Sequence, residues 1–110
     1  MSAPHFPDDD NGDVLKRMFE GGDDMSQPRI IDFSFVFPER KQALAFAEIV
    51  DERDLEVCIS YDEEREMWET MVKRYMIPTH QEITQLELAW SARAQSVGGE
   101  PDGWGCMHVG

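Results

Sequence analysis

From Arg29 to Pro38 the chain reads RIIDFSFVFP, with Ile31, Phe33, Phe35 and Phe37 at alternate positions and Ile30, Asp32, Ser34 and Val36 between them. Side chains alternate across a strand, so a period of two predicts a β-strand with one strongly apolar face and one mixed face, ended by Pro38. The period then changes. In ERKQALAFAEIVDERD, Ala43, Phe46, Ala47 and Val50 fall at i, i+3, i+4 and i+7, the stripe of a helix lying on a sheet. LEVCISY predicts a second strand, DEERE a charged turn and MWETMVKRYMIP a third strand, which makes strands two and three a hairpin.

Two further helices and a last strand complete the chain. NGDVLKRMFEGGDD holds Val14, Leu15, Met18 and Phe19 at helical spacing, with acidic residues at the positive end of the helix dipole and Gly21-Gly22 as a stop. Pro78 and Thr79 open another helix: Thr79 is the predicted N-cap, and Glu82, three residues on, supplies the returning limb of a capping box. Its inner face carries Ile83, Leu86, Trp90, Ala94 and Val97 until Gly98-Gly99. Asp102-Gly103 predicts a turn leading into WGCMHV, a short strand with Trp104, Cys106 and His108 on one face and Met107 and Val109 on the other. Gly105 marks a bulge or a close approach.

Apart from the leading helix, the order is β-α-β-β-α-β. Right-handed crossovers turn this order into an α+β, ferredoxin-like two-layer sandwich: a four-stranded antiparallel sheet with two helices on one face, preceded by a short N-terminal helix. The first and third strands are then central, and the last is an edge beside the first. A chain of 110 residues has room for one core. Residues 1–10 are expected to be a flexible acidic N-terminus, and residues 11–110 a single ferredoxin-like domain.

The net charge of -13, with a pI near 4.4, narrows the partners. It argues against nucleic acid and anionic membrane as direct ligands, since both need clustered Lys and Arg. It favours solubility, metal cations, or a basic protein segment reached by electrostatic steering. Cys58 and Cys106 each fall in an apolar stretch, so two buried thiols in a reducing cytosol are expected rather than a disulfide. The start MSAPHFPDDDNGD lacks the basic and apolar regions of a signal peptide, and no apolar run approaches membrane-spanning length, which predicts a soluble cytoplasmic protein.

Catalytic signatures are weak. The chain has no G-x-S-x-G, H-E-x-x-H, C-x-x-C or phosphate-cradling glycine loop, and FPERKQ after the first strand lacks the amides of a phosphate site. Cys106 and His108 share a strand face and could hold a metal with His80 or a carboxylate, but a core cysteine beside a surface histidine is the favoured reading. Asp62, Glu63, Glu64 and Glu66 sit in a polar turn, where carboxylates are expected to be solvated and unperturbed. Phe33, Phe35, Trp68 and Tyr75 could stack RNA bases, yet the phenylalanines read as core and the surrounding charge repels a polyanion. No catalytic, metal or cofactor-binding residue is therefore predicted.

The third strand holds the clustered cations Lys73 and Arg74, of which one can decorate the open face. Trp68, Thr70, Val72, Arg74 and Met76 share one side, and Met67, Glu69, Met71, Lys73 and Tyr75 the other. Trp68 and Arg74, with the acidic Asp62, Glu63 and Glu64, are the candidates for partner contact.

Together these segments carry a resemblance. Asn11-Gly12-Asp13 with its helix, the strand DFSFVFP, the helix start PTHQEI at Pro78 to Ile83, and above all Asp102-Gly103-Trp104-Gly105 make the chain, over about residues 11–109, similar to the regulator of ribonuclease E activity B family. That family comprises small acidic proteobacterial proteins of ferredoxin-like fold. The resemblance makes Asp13, Pro78, Thr79, Asp102, Gly103, Trp104 and Gly105 family-motif residues. It implies a bacterial, non-enzymatic inhibitor that binds ribonuclease E, whose long disordered region is rich in arginine, and so modulates RNA decay. Family members often carry an acidic tail after the last strand, whereas this sequence ends at Gly110. Two other readings stay open: a small metal-binding or enzymatic module built on Cys106 and His108, and an interaction domain with a different partner. For Trp104 the residues favour packing over partner contact.

Overall fold

A computed structural model of the chain describes residues 9–50 and 55–106. The elements run α1 (Asp10–Glu20), β1 (Arg29–Phe37), α2 (Arg40–Ile49), β2 (Leu55–Asp62), β3 (Met67–Met76), α3 (His80–Ser96) and β4 (Glu100–Cys106). The strands form one antiparallel sheet in the order β2-β3-β1-β4, the expected ferredoxin-like arrangement, with α2 and α3 on one face.

β1 organises the core because its apolar row lies between two neighbours and under both helices. Ile31, Phe33, Phe35 and Phe37 are all buried, and each such side chain contributes roughly 1.5–3 kcal/mol through burial. Phe33 meets Trp90 of α3 edge-on, with ring centroids 5.0 Å apart at 83°. Phe35 and Phe37 both pack on Phe46 of α2, at 4.8 and 5.4 Å. Ala43, Val50, Val72, Ile83 and Ala94 complete this layer, and Leu15 docks α1 onto it. Thr70, the buried polar residue of the row on β3, is satisfied by donating to the Ala43 carbonyl at 3.2 Å.

Burial decides which side of β3 faces out. Thr70, Val72 and Met76 are buried beneath the helices, which puts Trp68 and Arg74 on that side too. Glu69, Met71, Lys73 and Tyr75 line the open face, so Lys73 is the cation displayed there.

Several expectations need correction. Asp9 and Asp10, assigned above to a flexible terminus, build the start of α1: Asp10 is its first residue, and Asp9 caps it by accepting from the Gly12 amide at 2.7 Å. The rest of that terminus, residues 1–8, lies outside the described residues. Thr79 caps α3 as expected, accepting from the Glu82 amide at 3.3 Å, but the returning limb of a box is found at α2, where Gln42 Oε1 accepts from the Glu39 amide at 3.0 Å. Asp102-Gly103 is no turn before the last strand. β4 has already begun at Glu100, and the register against β1 shifts between Phe33–Trp104 and Phe35–Pro101, which makes Asp102 and Gly103 a bulge inside the strand. Gly103 takes φ +100°, a conformation glycine adopts without steric penalty. The bulge is thus at Gly103 rather than Gly105, whose missing Cβ leaves room for the Asp32 carboxylate. Met107, His108 and Val109 lie outside the described residues.

Cys58 is exposed rather than buried. It lies on the edge strand β2 at the parity of Glu56 and Ser60, the row that turns away from the helices. Cys106 is half-buried, and both thiols are free. Among the described residues, no helix is long and apolar enough to cross a membrane.

Candidate functional site

Trp104, Pro78 and Thr79, singled out by the resemblance, lie where α1, α3 and β4 meet. Trp104 follows the β4 bulge, and its indole Nε1 donates to Asn11 Oδ1 at 2.9 Å. Asn11 Nδ2 in turn donates to Thr84 Oγ1 and Glu87 Oε1 of α3, each at 3.1 Å. The Asp9 carboxylate hydrogen-bonds His80 Nε2 at 2.9 and 3.1 Å. Pro78 is buried just before α3, Thr79 caps that helix, and Asp13 lies exposed on α1. These contacts hold the leading helix against the sandwich.

Chemically, this cluster lacks a nucleophilic relay. Thr84 Oγ1 lies 3.4 Å from His80, but from the same ring nitrogen that meets Asp9. A relay needs the acid on one imidazole nitrogen and the nucleophile on the other. The Asp9 carboxyl is held below its usual pKa, first by the Gly12 amide and then by His80. His80, the suggested helper of Cys106 and His108, is held away from Cys106: it is tied to Asp9, at one end of α1, while Cys106 Sγ meets Met18 Sδ near the other at 4.0 Å. Nine helical residues separate those ends by roughly 13 Å. His108 lies outside the described residues, and among those described no group of three or more His, Cys, Asp or Glu side chains could hold a metal ion.

A second constellation forms at the β2–β3 hairpin. The turn carries the exposed Glu63, Glu64, Arg65 and Glu66, with Glu66 at φ +54°. Arg65 folds back over its neighbours: Nε donates to Asp62 Oδ2 at 2.7 Å, and its two terminal nitrogens donate to the two Asp102 oxygens at 3.0 Å each. Glu69 stands 3.8 Å from the same guanidinium. The hairpin is thereby clamped to the β4 bulge by a charge-assisted fork, a geometry that suits arginine. The partner carboxylates at Asp102 and Asp62 push the arginine pKa further up. Asp62 is not unperturbed as expected, because the Arg65 side chain first, and the turn amides after it, hold its carboxyl below the usual range.

One residue on, Trp68 pairs with Tyr61 across the hairpin, with ring centroids 5.1 Å apart, and the Arg40 guanidinium sits 5.8 Å from the Trp68 ring. Four sequence candidates, Asp62, Glu63, Glu64 and Trp68, are thus neighbours at one end of the sheet. Arg74 is not among them. It pairs with Ile31 and Leu55 six residues further along β3, roughly 20 Å away. Arg65 and Asp102 were missed as partners because 37 positions separate them. Phe33 and Phe35 are buried, so the open face offers Tyr75 rather than a set of stacking rings on the central strands.

A buried ion pair, not singled out by the sequence, lies beside Cys106. Arg29 Nη1 donates to both Asp23 oxygens at 2.7 Å, and Nη2 donates to the Asp24 and Gln27 carbonyls at 2.7 and 3.2 Å. Both side chains are almost fully buried, and the fork fixes the loop between α1 and β1. The signal available was one arginine opening an apolar strand shortly after Asp23-Asp24, which does not single out a pair. Burial pushes the Cys106 thiol pKa up, against the opposing pull of Arg29.

No curated protein and no solved structure matches the chain. A family model described as Regulator of ribonuclease activity B matches residues 8–106, a span that takes in the α1–α3–β4 junction and the clamped hairpin. With that match, this chain belongs to the regulator of ribonuclease activity B family.

Proposed function

We propose that the protein is a non-enzymatic regulator that binds a basic, arginine-rich protein segment, that of ribonuclease E, at its acidic hairpin end, and thereby modulates RNA decay. The observation that carries this reading is the charge at that end. Asp62, Glu69 and Asp102 surround Arg65, and the same turn carries the exposed Glu63, Glu64 and Glu66, within a chain of net charge -13. Arg65 engages Asp62 and Asp102, which leaves the exposed Glu63 and Glu64 available to an incoming cation. A disordered basic segment suits such a surface, since long-range attraction speeds encounter and short contacts add up along the chain. The reading implies a bacterial cytoplasmic protein that needs no cofactor and reaches RNA only through its partner.

Titration against the arginine-rich region of ribonuclease E from the same organism tests this. Binding should be measurable at low salt, weaken as ionic strength rises, and drop sharply in a Glu63→Lys, Glu64→Lys double variant. Cleavage of a model RNA by that ribonuclease should slow when the protein is added. Absence of binding at low salt overturns the proposed partner.

A further inference from the structure

We infer that the Tyr61–Trp68 pair is an arginine-reading ledge, so that this surface prefers arginine-rich to lysine-rich protein segments; the inference rests on the basic-segment reading above. Carboxylates attract any cation, and they favour a guanidinium over an ammonium ion only where a forked pair of hydrogen bonds forms. The rings beside them add a discrimination of their own. A guanidinium is planar and weakly hydrated and stacks on aromatic faces, whereas an ammonium ion is compact and holds its water.

The geometry supports this in two independent ways. First, Tyr61 and Trp68 are cross-strand partners, inclined at 58°, and Tyr61 keeps 47% of its surface exposed on the edge strand, where a partner can reach it. Second, the ledge already receives a guanidinium: Arg40, from the first turn of α2, places its Cζ 5.8 Å from the Trp68 ring centroid. That is within cation–π range. The turn that joins the two strands brings Glu63, Glu64 and Glu66 within a few residues of both rings, while its cation is committed to Asp62 and Asp102. An arginine of the partner would lay its plane on the exposed Tyr61 side of the ledge and turn its donors to the turn carboxylates.

The test uses the full chain and two labelled peptides matched in length and charge, one with arginine and one with lysine at every basic position. Fluorescence anisotropy at fixed low salt gives both affinities. The arginine peptide should bind roughly two- to fivefold more tightly, the range of a cation–π contact at an exposed site. The preference should vanish in Tyr61→Leu, at least halve in Trp68→Leu and persist in Tyr61→Phe, with the lysine peptide little affected. Circular dichroism verifies folding; should Trp68→Leu fail to fold, the exposed Tyr61 variants decide. Equal affinities in the parent protein, or a preference unchanged in Tyr61→Leu, would overturn the ledge while leaving basic-segment binding intact. Failure of both peptides to bind overturns both readings.

Discussion

Trp104 Nε1 donates to Asn11 Oδ1 at 2.9 Å, a hydrogen bond that joins the last described strand to the first helix across 93 positions. Trp104 also packs against the core, so it fastens the edge of the sheet in two ways. Trp104→Ala is expected to lower stability by about 3 kcal/mol, and Trp104→Phe, which keeps most of the packing, by about 0.5–1.5 kcal/mol. A double-mutant cycle with Asn11→Ala, read by urea unfolding, should recover a coupling of about that smaller size. A cycle with no coupling would show that the bond adds nothing to folding.

The Asp23–Arg29 pair is dry and forked. Removing one partner strands a buried charge, so Arg29→Met should cost about 3–5 kcal/mol. The double variant Asp23→Leu, Arg29→Met should recover much of that loss, because no charge is then left alone. Thermal unfolding of the three proteins checks the order.

Gly99 is required by its neighbour rather than by its backbone. An added Cβ would run into Cε1 and Cδ1 of Phe37, a ring fixed in the core. Gly99→Ala should destabilise by about 1–3 kcal/mol through overpacking. At Gly98 the clash is with the end of the Gln42 side chain, but φ is +87°, so strain there comes from the backbone.

Acid should weaken the fold in a defined direction. Asp9, Asp24 and Asp62 all titrate below their ordinary value of 3.8 in the folded chain, held down chiefly by the Gly12 amide, the Ser26 hydroxyl and Arg65 respectively. Between the folded and unfolded values the unfolded chain binds more protons, so their stabilising contribution is full above the unfolded value and is lost as pH falls through the folded ones. Urea midpoints measured from about pH 6 down to pH 2 should fall, and the fall should be shallower in Asp9→Asn and Asp62→Asn.

The two thiols should react at different rates. Cys58 is open to solvent, while Cys106 is half-buried with its pKa raised by desolvation. A thiol-alkylating reagent under native conditions should label Cys58 first, as peptide mass spectrometry would show.

The elements were legible because each has a short period. Phe33, Phe35 and Phe37 alternate, and Ala43, Phe46 and Val50 recur at helical spacing, so order and topology followed from local pattern. The acidic hairpin was legible for the same reason, since Asp62, Glu63 and Glu64 are contiguous. What could not be read are contacts between residues with no fixed spacing: Arg65 with Asp102, Asn11 with Trp104, and Asp23 with Arg29. The exposure of Cys58 was within reach, since its parity with Glu56 and Ser60 outweighs the apolar residues on either side. The β4 bulge was not, because Asp-Gly is as good a turn as a bulge until the partner strand is known.

The position of β4 has a consequence for biogenesis. β1 is the most apolar strand, and one of its two neighbours is the last element in the described chain. During synthesis the β2–β3 hairpin can form and pair with β1 while the other side of β1 still lacks its partner. Throughout that interval RIIDFSFVF presents an unpaired edge rich in phenylalanine, the kind of strand that adds to its own copies. Ribosome-bound chains cut short of Glu100 should therefore be the species that need chaperones, and release of β4 the event that ends the hazard.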